Sequence, residues 1–263
     1  TRGRAPYEAV LTHGFVMDDE GRKMSKSLGN VVSPLNIANQ SGADILRLWV
    51  VGSDYTDDLR IGDEIVKRQV DAYRKLRNTM RFMLGNLAGF SDEERLPLEQ
   101  MPDLERWALH RLWALDCHVR QCCDSFDFHD MYVQLYHFCT NDLSAFYFDI
   151  RKDSFYCDPA DSVERRAART VLDQVFRCLT TWLAPFLCFT AEEVWLTRFP
   201  EDESVHLQMF PTIPVDWQND ALMEKWERVR RLRRVVTGAL EIERREKRIG
   251  SSLQSAPTVY ADE

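Results

Sequence analysis

Short-range cysteine pairing is missing from this sequence. Seven cysteines occur, at 117, 122, 123, 139, 157, 178 and 188, and no two stand as C-x-x-C. That excludes ribbon- and finger-type zinc spacings, and the six histidines do not restore them. No metal-ligating residue is therefore expected in this chain. An odd cysteine count, mostly within helical segments, argues against a disulfide framework and fits the reduced, buried thiols of a cytoplasmic protein. There is no apolar run long enough to span a membrane, no internal repeat and no low-complexity tract. Thr1-Arg2-Gly3-Arg4 lacks the pattern of a secretory signal, and with Thr1 in place of an initiator the sequence reads as starting inside a longer protein. Positive charge is not in excess either. The net charge of −8 excludes indiscriminate nucleic-acid binding. It leaves room for a local basic face, and residues 225–248 hold ten lysines and arginines with glutamates interleaved.

What is present is a globular composition, 44% hydrophobic and 29% charged over 263 residues, enough for one or two domains with real cores. One stretch stands out, Gly21-Arg22-Lys23-Met24-Ser25-Lys26-Ser27-Leu28-Gly29-Asn30. Its glycines relax the backbone, its serines and amides donate hydrogen bonds, and Lys23 and Lys26, three apart, can converge on one polyanion. A mobile cationic loop of this kind suits phosphates whose charge builds up during transfer. The G-x-x-x-x-G-K-[ST] spacing of a P-loop is not there. Read without context, the same loop is a solvated turn.

The context removes that ambiguity. Lys23 to Ser27 is the KMSKS sequence that marks class I aminoacyl-tRNA synthetases. The run from His13 to Tyr55, the segment YRKLRNTMRFMLGNL from Tyr73 to Leu87, NDLSAFYFDIRKDSFY from Asn141 to Tyr156 and LAPFLCFTAEEVW from Leu183 to Trp195 together resemble the bacterial-type isoleucyl-tRNA synthetases of class Ia. The resemblance runs from end to end. Valyl and leucyl relatives share KMSKS and the ADxLR helix, so a valyl-tRNA synthetase segment is the nearest alternative. A non-catalytic tRNA-binding module of synthetase ancestry and a plain helical scaffold are the others.

Along the chain, Ala9 to Met17 reads as a strand, with Val10, Leu11, Phe15 and Val16 buried and Asp18 to Gly21 as the turn. Short helices follow Pro34 and Gly42, and an Asp-rich connector spans 52–62. From there the apolar spacing is helical. Val66 to Leu87 forms one face, Leu104 to Phe126 a second and Phe128 to Ile150 a third. Val163 to Trp182 forms a fourth, with Asp161 and Glu164 as its predicted cap. Thr190 with Glu193 marks another helix start. A last helix runs from about Asn219 to Gly250, burying Leu222, Trp226, Val229, Val236 and Leu240, and Ser255 to Tyr260 reads as a strand. The fold is thus mainly α, a helical bundle. The resemblance implies its parts: residues 1–33 as the tail of a Rossmann-like catalytic domain with the KMSKS loop, 34–62 as a stem-contact connector, 63–215 as the anticodon-binding bundle, and 216–263 as a basic helix opening a C-terminal region.

The resemblance also implies the chemistry. ATP and isoleucine give isoleucyl-adenylate, and the aminoacyl group then moves to tRNA(Ile). Lys23 and Lys26 are the expected catalytic cations, and Lys23, Met24, Ser25, Lys26 and Ser27 the expected ATP-binding loop, with Mg2+ accompanying the nucleotide. The family's HIGH motif is not in this sequence, so the segment alone is expected to be inactive. The expected tRNA contacts are Arg74, Lys75, Arg77 and Arg81 on the first long helix and Arg230, Arg233 and Arg234 on the last. Trp113 and Trp217 are candidates for stacking on an unpaired base, with core packing as the competing role. Zinc is expected only in the parent, beyond this chain, and the parent is expected to be a monomer.

Overall fold

Pro34 has no N–H to satisfy and a φ suited to a first turn, so a helix opens there: α1, Pro34–Ser41, closed by Gly42 at φ 98°. The computed structural model describes residues 3–260. After α1 come α2 (Ala43–Val51), α3 (Asp63–Asn86), α4 (Asp103–Ser125) and α5 (Phe128–His137). The rod begun by α5 continues without a break through a π-helical stretch, Phe138–Phe148, into α6 (Asp149–Tyr156). Then follow α7 (Val163–Leu183), α8 (Cys188–Arg198) and α9 (Asp220–Arg245). Two short strands, β1 (Val16–Met17) and β2 (Leu59–Arg60), pair in parallel. Among the described residues no helix is long and apolar enough to cross a membrane.

Helix α7 is the axis of the bundle. From Ala167 to Leu183 nearly every side chain is buried, including Ala168, Leu172, Val175, Phe176, Leu179 and Trp182. It packs against α3, α4, α6 and α8. A helix enclosed on all sides needs its polar side chains answered. Asp173, fully buried, receives Arg95, Arg177 and Arg198. Glu105 of α4, also fully buried, takes both Arg151 nitrogens at 2.6 Å and the Tyr147 hydroxyl at 3.2 Å. Through the π stretch the third rod buries Phe138, Cys139, Asp142, Leu143, Phe146 and Tyr147.

The second, smaller core is formed by Ile37, Trp49, Leu59 and Ile61, with Met24 and Val32 packed on it. It is tied to the bundle by α2. The Asp44 carboxylate accepts the Phe189 and Thr190 amides and the Thr190 hydroxyl, at 3.3, 2.8 and 2.7 Å. It thereby caps α8 from 145 residues away. Arg47, one turn on, donates to the Pro185 and Phe186 carbonyls at 2.6 and 3.2 Å.

Several sequence-based expectations are corrected. Only Val16–Met17 of the Ala9–Met17 segment is strand, and Val10, Leu11, Phe15 and Val16 are all exposed, because among the described residues the strand paired with it is β2 and a two-stranded ribbon buries neither face. The cap of α7 is Ser162, whose side chain accepts the Arg165 amide, and not Asp161. Thr190 lies inside α8 and serves Asp44, while Glu193 pairs with Arg77. Phe126 leaves the helix with φ 60° and is exposed, as are Ile150, Val163 and Val229. Helix α9 ends at Arg245, five residues early, where Lys247 turns to φ 59°, and residues 255–260 form no strand.

Removing the Asp44 carboxylate leaves a buried hydroxyl and helix N–H groups unanswered. Asp44→Ala is expected to destabilise the chain by about 2–3 kcal/mol in urea unfolding, with Asp44→Asn losing less. An unchanged midpoint would count against the junction.

Candidate phosphate loop and nucleic-acid groove

The loop at 21–30 is built around one carboxylate. Asp18 is buried at its base, where Oδ1 accepts the Arg22 amide at 2.7 Å and Oδ2 accepts Arg22 Nε and Asn30 Nδ2, both at 2.9 Å. Asn30 returns across the loop, accepting the Ser25 amide at 2.9 Å and donating to the Lys23 carbonyl at 3.3 Å. Three donors lower the Asp18 carboxyl to about 2, the Asn30 side chain contributing most, then Arg22. Gly21 turns the chain at φ 80°. Met24 reaches the smaller core and accepts the Val32 amide at its sulfur, 3.4 Å away. Ser25 and Ser27 hydroxyls lie 3.0 Å apart. The backbone of the loop is therefore fixed at Asp18, Asn30 and Met24, while Lys23 and Lys26 are exposed and in no ion pair among the described residues. Two free cations on a fixed turn can meet a polyphosphate without first breaking a salt bridge.

The loop is held to the connector by close approach. A Cβ on Gly14 would lie 2.1 Å from the Asp57 carbonyl oxygen, so only glycine lets the two segments pass, and the Gly14 amide donates to the Tyr55 carbonyl at 2.9 Å. The Tyr55 hydroxyl in turn donates to the Phe126 carbonyl at the end of α4.

The second candidate lies between α9 and the π stretch. A groove of 730 Å³ is lined by Arg111, Arg230, Arg231, Arg233 and Arg234, with Asn141, Phe146 and Glu227 among its other walls. Asp142, buried in the π stretch, holds Arg111 at 2.9 Å and Arg230 at 2.7 Å. Asp149 holds Arg233 at 2.6 Å, and the Arg230 guanidinium lies over Phe146 and Trp107. Arg231 and Arg234 line the groove outside these pairs. Five arginines against three carboxylates can receive a phosphate backbone, while the Phe146 ring is buried under Arg230 and Arg233.

The three residues expected on α9 thus come together, although Arg230 and Arg233 also dock α9. Arg231 belongs to the 225–248 basic cluster, whereas Arg111 was not singled out from sequence and no local signal marks it, because its partner Asp142 lies on another helix. The α3 candidates do not join this groove. Arg77 makes a two-pronged pair with Glu193 of α8, Arg74 pairs with Asp71, and Lys75 sits over the Tyr136 ring at 5.7 Å. Arg81 lines a separate hollow of 440 Å³ with Asn78, Asn86 and Tyr156. Trp113 and Trp217 both pack against the main core. Packing also brings one donor atom each of His118, Cys122 and Asp130 within 4.8 Å of one another.

A profile of the class I tRNA synthetases for isoleucine, leucine, methionine and valine matches residues 1–62, and one of the anticodon-binding domain of tRNA ligases matches 105–260. Isoleucine–tRNA ligases of Agrobacterium fabrum and Mesorhizobium japonicum are 59% and 60% identical over 99% and 98% of the chain. That of Caulobacter vibrioides is 56% identical over the whole chain. The chain spans about a quarter of the length of these relatives, 26–27%. Among solved structures, a LeuRS from Agrobacterium radiobacter K84, in a ternary complex with tRNA and LeuAMS, matches 79% of the chain and 24% of its own. Its TM-score is 0.63 at 22% identity. A Mycobacterium tuberculosis methionyl-tRNA synthetase with methionyl-adenylate matches 76% of the chain and 43% of its own, at TM-score 0.57 and 20% identity. These two share the fold.

The lowered Asp18 carboxyl fixes a pH window. Its folded value lies below the ordinary carboxylate value, so its contribution is complete above about pH 4 and lost as pH falls toward 2. The Asn30 side-chain amide resonances are expected to keep their neutral-pH positions down to about pH 4 and to collapse toward random-coil values below it. Collapse between pH 5 and 7 would contradict the Asp18 anchor.

Proposed function

Because the chain belongs to the anticodon-binding domain family of the tRNA ligases, we propose that it is the segment of an isoleucine–tRNA ligase that carries the phosphate loop of activation and the seat of the tRNA anticodon arm. The observation that carries this reading is the pair of exposed lysines, in no ion pair among the described residues, on a turn fixed at Asp18, Asn30 and Met24. A solvated turn has no need of a buried carboxylate as its anchor. In activation the isoleucine carboxylate attacks the α-phosphate of ATP and pyrophosphate leaves. No covalent nucleophile is required, only positive charge where the phosphate oxygens gain negative charge. Lys26 and Lys23 would hold the triphosphate, and the Ser25 and Ser27 hydroxyls would donate to it. Mg2+ would arrive with the nucleotide as part of the substrate, because both oxygens of Asp18 are already taken by Arg22 and Asn30.

The groove between α9 and the π stretch would take the tRNA, with Arg231 and Arg234 on phosphates. The α3 residues Arg74, Lys75 and Arg81 remain candidates on a second face, whereas Arg77 acts first as the α3–α8 ion pair. The residue ranges 1–33, 34–62, 63–215 and 216–263 stand as the proposed division of labour. Isoleucine specificity, zinc beyond this chain and a cytoplasmic, monomeric parent belong to the same proposal.

In the whole enzyme that carries this segment, Lys26→Ala is expected to lower isoleucine-dependent pyrophosphate exchange about 100-fold or more, the scale of losing one preorganised donor. A drop under about tenfold would remove Lys26 from that role. For the groove, the chain is expected to bind isoleucine tRNA with affinity that falls as salt rises. Arg231→Ala and Arg234→Ala should each lower the log–log salt slope by about 0.7–0.9. A slope unchanged in both variants would place the RNA elsewhere, and no binding at any salt would favour a plain scaffold.

A further inference from the structure

The turn between α4 and α5 gathers three donors of different chemistry. His118 and Cys122 are four apart on α4, so both side chains leave the same face of the helix. Asp130 is in the first turn of α5 and comes back against them. Its Oδ2 lies 2.7 Å from His118 Nε2 and 3.9 Å from Cys122 Sγ. The turn itself is set by Phe126 at φ 60° and by Asp127, whose side chain accepts the Asp130 amide at 3.1 Å. The other Asp130 oxygen accepts Gln134 Nε2 at 3.2 Å, which fixes the carboxylate in its plane.

We propose that His118, Cys122 and Asp130 form a binding site for a divalent cation of zinc type, which staples α4 to α5 at the point where the connector docks. An imidazole nitrogen, a thiolate and a carboxylate form a set that zinc accepts. Bonds of about 2.0–2.3 Å place tetrahedral ligands roughly 3.3–3.8 Å apart. The three donors lie mutually within 4.8 Å, close to that spacing, with the His118–Asp130 contact at 2.7 Å shorter than it and the Cys122–Asp130 contact at 3.9 Å near it. The fourth position is left for water. His118 and Asp130 are each about one third exposed, at 35% and 39%, so an ion has a path in, while the Cys122 sulfur is buried behind them.

An entering ion replaces the thiol proton, which leaves to solvent, and the sulfur–metal bond takes its place. The consequence reaches past the turn. The Tyr55 hydroxyl binds the Phe126 carbonyl and the Tyr55 ring packs near Phe128, so an ion closing α4 on α5 would stiffen the surface on which the loop-bearing segment rests.

Chelator-treated chain titrated with Co2+ tests the site. A thiolate-to-cobalt charge-transfer band saturating at one equivalent, competed away by Zn2+, is expected, together with a Zn2+-dependent rise in melting temperature. Cys122→Ser should abolish the band. His118→Ala and Asp130→Asn should weaken Zn2+ affinity in equilibrium dialysis by about tenfold or more. Cys117→Ser, exposed on α4 and outside the cluster, should change none of these. Absence of a band in the unsubstituted chain overturns the proposal, and so does a band that survives in Cys122→Ser. If Cys122→Ser does not fold, His118→Ala on its half-open side decides, and unchanged affinity there refutes the site.

Discussion

The Asp44 carboxylate joins the two halves of this molecule. A helix N-terminus buried in a protein carries amides that nothing within the helix can satisfy. Here the start of α8 meets that need with a side chain from α2, and the Thr190 hydroxyl adds a third donor to the same carboxylate. Because Asp44 also sits in the first turn of its own helix, its charge faces two helix N-termini at once. Arg47 completes the joint from the next turn by binding carbonyls just before α8. The smaller core under Met24 is therefore registered on the bundle through hydrogen bonds of fixed direction. An apolar contact would allow sliding; a carboxylate with three directed donors does not. The position of Lys23 and Lys26 relative to the bundle is inherited from this joint.

A parallel economy governs the arginines. Most of those that pack the bundle are answered by buried carboxylates, Asp173 by three of them and Glu105 by Arg151. Burial of such pairs gives little net stability, but it fixes which helices meet and at what height. Asp142 uses the same device at the groove. By holding Arg111 of α4 and Arg230 of α9 together, it seats the last helix and leaves Arg231 and Arg234, on adjoining positions, facing the groove. Some arginines of the basic cluster are thus hinges, and the ones between them are the free charge.

The long helices were legible because their apolar spacing is local. Leu76 and Met80 of α3, or Ala167, Val171, Val175, Cys178 and Trp182 of α7, are buried as their periods require. The loop at 21–30 was legible by composition and by resemblance. What sequence order hid was everything made across distance. Thr190 and Glu193 carry a helix-start pattern, yet their partners are Asp44 and Arg77, and no local rule reaches that far. Val10, Leu11 and Phe15 have the look of a buried strand, but burial needs a second layer, which the chain folds elsewhere. His118 and Cys122 fall outside the short cysteine spacings because their third partner comes from the next helix.

Charge distribution decides where a polyanion can approach. The whole chain carries −8, so its far field repels nucleic acid and nucleotide alike. At physiological salt that field is screened within about 8 Å, and only the local sign matters at contact. Paired arginines present little of it, since their partners cancel them at short range. Among the described residues, Lys23 and Lys26 at the loop and Arg231 and Arg234 at the groove are in no ion pair and keep their local charge, as do Arg68, Arg81, Arg228 and Arg245 elsewhere. In an overall negative protein, pairing arginines at Asp142 and Asp173 narrows the places where a polyanion can dock.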